Sequence, residues 1–315
     1  MYRGILMRLS QAVPVLLIFA VMVFMLMHLL PGDPALAIAG PEASAEAVEV
    51  IREQLGLNRP ILVQLLEWFS HLAVGNFGES LMLKQSVVSA VVERLPVTLS
   101  LSLVSLVITL PAGILLGVVA AYWRSSWIDA SVMVVALLGV SLPGFWVGLL
   151  SVLFFSVHLG WFPPSGYAPL DETGLVAWLA SLIQPAVVLA LFQIGFLARI
   201  TRSAMLDVLD QDFIRTARAK GVDEWTTLAK HAFRNTLIPV VTVLGITLSL
   251  LIGGSVVIEQ VFALPGIGRL IVQGIMNRDY PLVQGTMLLF GFAFVVINIL
   301  VDIIYTLVDP RVRYG

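Results

Sequence analysis

The sequence predicts an all-α, polytopic membrane protein with six transmembrane helices. Two observations support this prediction: the chain is unusually apolar, and its charged residues are separated by six long gaps. Of the 315 residues, 59% are apolar and only 12% are charged. Soluble domains carry roughly 25% charged residues, and a water-soluble chain of this length could not bury so much apolar surface.

Six stretches of the chain contain no Asp, Glu, Lys or Arg over more than 20 residues. The next longest such gap, 68–78, has only 11 residues, so the division is clean. A helix needs about 20 apolar residues to cross the hydrocarbon, because each residue rises 1.5 Å and every backbone polar group must be satisfied internally. The six windows are 9–32, 95–123, 130–170, 173–198, 235–258 and 280–301.

The first window is predicted to be a retained transmembrane helix over 9–30, after a cytoplasmic N-terminal segment 1–8. Arg3 and Arg8 resemble the charged start of a signal peptide. However, the window has 24 uncharged residues, more than a signal-peptide core, and the turn at 31–34 is not a small-residue cleavage site.

The third window is the longest, but its end, 161–166, has the Trp-Phe-Pro-Pro-Ser-Gly composition of a loop. It is therefore predicted to hold one span, roughly 130–157, and not two. Proline and glycine inside the spans, such as Pro143, Gly117 and Gly195, are expected to allow kinks and close helix packing.

The orientation of the spans follows from the basic residues. Twelve of the 18 Lys and Arg lie at the two ends of the chain, at Arg124 and in the loop 199–236, all on one side of the membrane. By the positive-inside rule that side, with both termini and the C-terminal segment 309–315, is cytoplasmic. Trp123 and Trp127 fall at one interface and Trp161 and Trp178 at the other, as an aromatic belt requires.

Residues 31–94 are predicted to form an external helical segment. Ser44 can cap a helix that continues through Leu55, with Gly56 just beyond its end, and Pro60 can open a second helix that stops near Gly75. Nothing in this segment has the spacing of a catalytic or metal site, and the absence of cysteine excludes disulfides and thiolate metal sites.

The cytoplasmic loop 199–236 is predicted to form a helix, a glycine corner at Gly221 and a second helix capped by Asp223. Leu206, Leu209, Phe213 and Ala217 recur at helical spacing and indicate one apolar stripe. On physical grounds alone, an amphipathic helix at the lipid surface and a protein-binding helix remain equally open.

The motif Thr216-Ala217-Arg218-Ala219-Lys220-Gly221, with Pro239 eighteen residues later, resembles the "EAA" loop of ABC-importer permeases. The whole chain is similar to the first permease subunit of the dipeptide, oligopeptide and nickel import family. Thr216 departs from the Glu of the broad motif, and Asn76 from the usual Asp. The other matching segments are 31–34, 75–78, 93–99, 253–254, 259–262, 265–268, 278–281 and 309–311.

The resemblance implies a type I ABC importer permease fold, with a core domain over 95–308 and the loop 199–236 as its coupling loop. Thr216 to Gly221, with Pro239, would couple to a cytoplasmic ATPase subunit. Small Ala217 and Ala219 would let another surface approach, and Gly221 would permit the corner. The chain has no phosphate-binding Gly-x-x-x-x-Gly-Lys-Ser/Thr loop, so ATP and Mg²⁺ would be bound by partner subunits and no cofactor by this chain.

The main alternative is an ion-coupled secondary transporter. Such carriers generally place ionisable groups near the bilayer midplane. In this sequence His28 and His158 lie near the outer ends of windows, and Glu259 and Asp302 flank spans. The sequence therefore favours the ABC permease, and it contains no hydrolase motif.

The resemblance further implies a set of partners and leaves the solute open. The partners are a second homologous permease in a heterodimer, two ATPase subunits, an extracytoplasmic solute-binding protein and the bacterial inner membrane; no nucleic acid is expected. Polar groups of Ser141, Gln184 and Gln193 are candidates for the translocation pathway, although such groups also form interhelical hydrogen bonds. Relatives carry dipeptides, oligopeptides, glutathione, nickel chelates or sugars.

Overall fold

The computed structural model describes residues 2–29, 33–40, 43–54 and 56–308. Within these ranges the chain is helical and has no strand beyond one isolated bridge between Glu79 and Ser86. In chain order the helices are α1 (Tyr2–Leu29), α2 (Pro34–Ala39), α3 (Ala45–Gln54), α4 (Ile61–Ala73), α5 (Val87–Tyr122), α6 (Trp127–Ser141), α7 (Gly144–Ser151), α8 (Leu170–Leu209), α9 (Asp212–Ala219), α10 (Glu224–Thr226), α11 (Phe233–Val261), α12 (Ile267–Met276) and α13 (Tyr280–Val308). Two π-helical stretches, Val152–His158 and Thr227–Ala232, continue α7 and α10.

Each uncharged window coincides with an apolar helical segment, as predicted. Among the described residues, α5, α8 and the part Tyr280–Ile299 of α13 are long and apolar enough to cross a membrane. A fourth candidate is the bent pair Trp127–Ser141 and Gly144–His158. Shorter apolar stretches, Ser10–Leu26 and Gly245–Val261, occupy the first and fifth windows.

The third window differs from the single span that the sequence predicts, because its two limbs meet at an angle of 100°. Leu142 and Pro143 have extended backbone conformations, with ψ of 134° and 126°. Pro143 lacks the N–H of a helical bond and disfavours helical geometry in the residue before it. Helix α6 therefore ends at Ser141, and a new helix begins at Gly144.

The helices of the segment 31–94 begin and end near the predicted residues. The Ala47 N–H donates to Ser44 Oγ (3.2 Å) at the start of α3, and Gly56 follows with a φ of 67°; Leu55 lies outside the described residues. Helix α4 begins directly after Pro60, and Gly75 follows its end with a φ of 78°. Sequence caps thus locate both helices.

The helices form two compact units. One contains residues 1–96 and 265–296, and the other contains residues 97–264 and 297–315. In the first unit, Val87, Ile267, Leu270 and Leu282 form a buried core. There Asp279 is almost fully buried and accepts hydrogen bonds from Ser80 Oγ (2.6 Å) and from the Met82 N–H (3.1 Å).

In the second unit, the largest core joins Leu101 of α5, Leu182 and Leu189 of α8, and Leu251 of α11. Glycines bring the helices together here. A Cβ at Gly195 of α8 would overlap the carbonyl oxygen of Ala136 in α6, and a Cβ at Gly117 of α5 would lie 2.6 Å from the carbonyl oxygen of Ala198. These contacts confirm the close helix packing predicted from the small residues.

Candidate functional site

The loop between α8 and α11 contains a short elbow, defined as residues 212–224. Helix α9 ends at Ala219, and Gly221 then adopts a left-handed conformation with a φ of 80°. The Gly221 N–H donates to the Arg218 carbonyl (3.0 Å), and the Val222 N–H donates to the Ala217 carbonyl (3.2 Å). A residue with a Cβ disfavours this conformation, so the predicted glycine corner is confirmed.

A hydrogen-bonded cap starts the next helical turn. Both carboxylate oxygens of Asp223 accept the Thr226 N–H, at 3.1 and 3.3 Å. The Arg218 guanidinium also spans the corner to the Glu224 carboxylate, with distances of 3.2 Å from Nε to Oε2 and 2.5 Å from Nη2 to Oε1. This pair, absent from the sequence-based prediction, joins the two arms of the elbow.

The inner side of the elbow is buried against the second unit. Ile214 packs with Ala121 of α5, Met205 of α8 and Leu228 of the π-helical stretch, and Ala217 is also buried. The predicted stripe is wrong only at Phe213, because α8 ends at Leu209 and α9 begins afresh at Asp212. Leu206 and Leu209 pack on this core, and Ala217 is buried. The change of helical phase turns Ile214 inward and leaves Phe213 46% exposed.

The exposed side of the elbow carries most of the predicted coupling residues. Thr216, Arg218, Ala219, Lys220 and Gly221 are exposed. Ala217 is the exception, because it is buried, with 8% exposure. Nothing lies within 4 Å of the place that a Cβ at Gly221 would occupy. The exposed face is therefore open at Gly221.

The remaining predicted coupling residue, Pro239, lies in α11, but its side chain is outside the part of the structure that is described. Two ion pairs connect the end of α8 to the loop after α5 and to the start of α6. Arg202 binds Asp129 with two distances of 2.6 Å, and Arg124 binds Asp210 at 3.2 and 3.3 Å. The two pairs therefore link the part of α8 that precedes the elbow to the chain between α5 and α6.

A groove of about 480 Å³ lies between the bend of the third window, α8 and α11. Its walls are mainly apolar and include Leu142, Phe145, Val257 and the glycine pair 253–254. Gln193 also lines it, is only 3% exposed, and its Oε1 atom has no hydrogen-bond partner. An unpaired amide oxygen at an apolar wall is a candidate contact for a polar solute.

The other two predicted pathway residues have different surroundings. Ser141 is exposed at the end of α6, next to Leu142 of the groove. Gln184 is buried and does not line the groove: it accepts from Ser156 Oγ (2.8 Å) and donates to Ser151 Oγ (3.3 Å). Gln184 therefore joins α8 to the second limb of the third window.

One buried carboxylate was not singled out as a site residue. Glu259, near the end of α11, is fully buried and accepts a hydrogen bond from Thr98 Oγ1 (2.7 Å) in α5. The two residues are 161 positions apart, so sequence spacing could not have paired them. Among the described residues, no three His, Asp or Glu side chains form a group that could hold a metal ion.

Comparison with known protein families identifies the family of this chain. Residues 113–314 match the binding-protein-dependent transport system inner membrane component, and residues 1–102 match the N-terminal component of the same kind of system. The chain belongs to this family. It is therefore a multi-pass membrane permease subunit of an ABC importer.

Relatives support the same conclusion. A putative peptide transport system permease of Brucella abortus (strain 2308) is 61% identical over 310 residues, which cover 98% of each chain. A probable peptide ABC transporter permease of Sinorhizobium fredii is 42% identical over 98% of this chain and 99% of its own. The glutathione transport system permease of Salmonella choleraesuis is 42% identical over the full length of both chains.

The fold is similar to that of a solved importer. The MetNI methionine ABC transporter, in an inward-facing conformation, matches 71% of this chain and 96% of its own chain, with a TM-score of 0.54 and 23% identity. A second crystal form gives a TM-score of 0.56 at 22% identity. The likeness supports the predicted type I importer permease fold.

Family membership also identifies the energy source of transport. Permease components of ABC importers are non-catalytic, and separate ATPase subunits hydrolyse ATP. Partners of this permease accordingly include ATPase subunits and a solute-binding protein. The ion-coupled alternative is set aside, because this family is driven by ATP.

Proposed function

We propose that this permease carries peptides across the bacterial inner membrane and that its elbow receives the movement of the ATPase. The single observation that carries the coupling role is the two-sided elbow, whose inner side is anchored by Ile214 and Ala217 while Arg218 to Gly221 stay exposed. The peptide assignment draws on the printed names of the relatives, of which the 61% identical one is a putative peptide permease.

The proposed orientation places both termini and the elbow in the cytosol. Twelve basic residues on that side support it. Because the chain has no cysteine, a single Lys220→Cys change gives a unique label site. An impermeant maleimide should label it in inside-out vesicles that lack the ATPase subunits and not in intact cells. Labelling from outside would contradict the orientation and the coupling role together.

The proposed assembly pairs this chain with a second homologous permease, two ATPase subunits and a binding protein. The coupling residues would be Thr216 to Gly221 with Pro239, and Ala217 would act from inside by holding α9 in place. The chain alone should then bind no nucleotide. Specific ATP binding by the purified subunit would contradict this division of labour.

The groove beside Gln193 is the proposed part of the translocation pathway in this chain. Its apolar walls would exclude water around a passing peptide, and the Gln193 amide could replace one of the peptide's hydrogen bonds to water. Ser141 lies at the rim by sequence, whereas Gln184 is proposed to hold helices together and not to contact the solute.

Uptake by the assembled importer tests the solute. The complex with its binding protein is reconstituted in proteoliposomes, and labelled dipeptide, oligopeptide, glutathione and nickel chelate are compared. We expect ATP-dependent uptake of a peptide, with matching affinity of the binding protein. Uptake of glutathione or nickel alone would overturn the peptide assignment and leave the permease role intact.

A further inference from the structure

Helix α4, in the segment after the first span, turns its polar face toward the protein and its apolar face outward. A surface helix of a soluble protein has the reverse arrangement. Gln64, Glu67, Trp68 and His71 line a cavity of about 230 Å³ together with Phe24 and His28 of α1. The opposite face carries Leu62, Leu66, Phe69 and Ala73, spaced four, three and four residues apart. The mixed polar face is therefore turned toward the protein.

The outward face of α4 is strongly exposed. Leu62 is 66% exposed and Leu66 is 69% exposed, and no residue of this helix is buried. Its one charged residue, Glu67, is on the other face, where it forms an ion pair with Arg59. In water such an uncharged leucine face would be unfavourable, whereas in lipid it would be favourable.

Contacts with the first span set the depth of α4. The Trp68 ring lies 5.5 Å from the Phe24 ring, centroid to centroid, and His28 Nε2 lies 3.1 Å from Gln64 Oε1. Phe24 and His28 precede the end of the first uncharged window by eight and four residues. At 1.5 Å per residue these are depths of about 12 and 6 Å below that end.

The lipid-facing surface of the first span reaches the same level. Ile18, Met22, Leu26 and Leu29 of α1 are all exposed apolar side chains. An outward face of α4 at the depth of Phe24 to His28 lies at the same level as these apolar side chains of α1. Acyl chains, and not water, are therefore the neighbours that fit it.

We propose that α4 is an interfacial helix, embedded through Leu62, Leu66, Phe69 and Ala73 in the leaflet at the C-terminal end of the first span. Under the proposed orientation this is the outer leaflet. The helix lies along the bilayer surface, and its polar face encloses the small cavity against α1. Its role is independent of the solute and of the coupling elbow.

Spin labels on the cysteine-free chain test the proposal in the assembled importer in proteoliposomes. Leu62→Cys and Leu66→Cys place labels on the lipid face, and Glu46→Cys in the exposed first turn of α3 is the aqueous control. For the two leucine positions we expect several-fold higher collision with oxygen than with a water-soluble nickel chelate. The control should show the reverse ratio.

Two other results would overturn the proposal. High collision with the nickel chelate at Leu62→Cys and Leu66→Cys would place the face in water. Low collision with both reagents, with an immobilised label, would show a protein partner on this face. Uptake by each labelled complex verifies that the variants fold, and the lipid readout does not depend on which solute is carried.

Discussion

The carboxylate of Asp129 and the guanidinium of Arg202 form a two-pronged ion pair, with both N···O distances at 2.6 Å. Asp129 is almost fully buried at the start of α6 and also accepts the Ser125 N–H (3.0 Å). Arg202 lies near the end of α8, one turn before the core that holds the elbow. The pair therefore links the base of the elbow to α6.

Asp129→Ala should lower the stability of the permease. Removal of one partner leaves Arg202 desolvated and unpaired, which costs about 3–5 kcal/mol at a fully buried site. Because Arg202 is 27% exposed, we expect about 1–3 kcal/mol, a loss of several degrees in Tm measured by tryptophan fluorescence in detergent. Asp210→Ala is the matched control: it breaks the exposed Arg124–Asp210 pair and should change stability by less than about 1 kcal/mol.

Gly221→Val should uncouple ATP hydrolysis from uptake while leaving membrane insertion intact. A Cβ at this position would meet open space, so the cost comes from the left-handed backbone, about 1–2 kcal/mol. Hydrolysis and uptake are measured together in proteoliposomes. Gly221→Asn tolerates this conformation and should retain coupling. Normal uptake by Gly221→Val would count against the elbow's role.

Arg218→Glu should reduce uptake, and the double variant Arg218→Glu, Glu224→Arg should restore part of it. The pair spans the glycine corner, but it is about half exposed, so its stability contribution should be only about 0.2–1 kcal/mol. The informative measurement is therefore the ratio of uptake to ATP hydrolysis. If the swapped pair were no better than the single variant, Arg218 would act on the partner and not on Glu224.

Gln193→Leu and Gln184→Leu should have different effects on stability. The first variant removes a buried oxygen that has no partner, which costs about 1–3 kcal/mol in such sites, so Tm should rise or stay the same. The second breaks hydrogen bonds with Ser151 and Ser156 and should lower Tm. Uptake should fall in Gln193→Leu if the groove is on the pathway. Unchanged uptake at normal assembly would remove Gln193 from it.

The Asp33–Arg52 ion pair should stabilise the segment after the first span in a pH-dependent way. Burial raises the pKa of Asp33, but the Arg52 hydrogen bond and charge, with the Ala35 and Leu36 N–H groups, prevail and lower it from its ordinary value of 3.8. A lowered folded-state pKa gives stability that is complete above 3.8 and lost as the pH falls through the folded-state value. Hydrogen exchange of α2 and α3 at decreasing pH should show this loss, and Asp33→Asn should abolish its pH dependence.

The membrane helices and the elbow were predictable because their signals are local. A charge inside the hydrocarbon is so costly that the gaps between charged residues locate the spans. Ser44 and Asp223 mark helix starts through side-chain bonds that reach only three residues, and Gly221 marks a backbone conformation of its own.

The remaining features depend on contacts between distant parts of the chain. Ser80 and Asp279 are 199 residues apart, and Asp129 and Arg202 are 73 apart, so neither pairing has a local signature. The stripe through Phe213 failed for another reason: periodicity was continued across the break between α8 and α9. Pro143 indicated a kink, but the 100° angle depends on what each limb packs against.

The absence of a side chain at Gly195 leaves no clearance between α6 and α8, because even a methyl group would collide with the Ala136 carbonyl. Helices α6 and α8 are in backbone contact here, so no layer of flexible side chains lies between them to let one helix slide past the other. Movement of the end of α8 near the elbow is therefore expected to reach the bend between α6 and α7 as a rigid translation. The single methyl group added by Gly195→Ala would then separate α6 from α8 and reduce the transmitted movement. It would do so without contact to the nucleotide, the solute or the elbow.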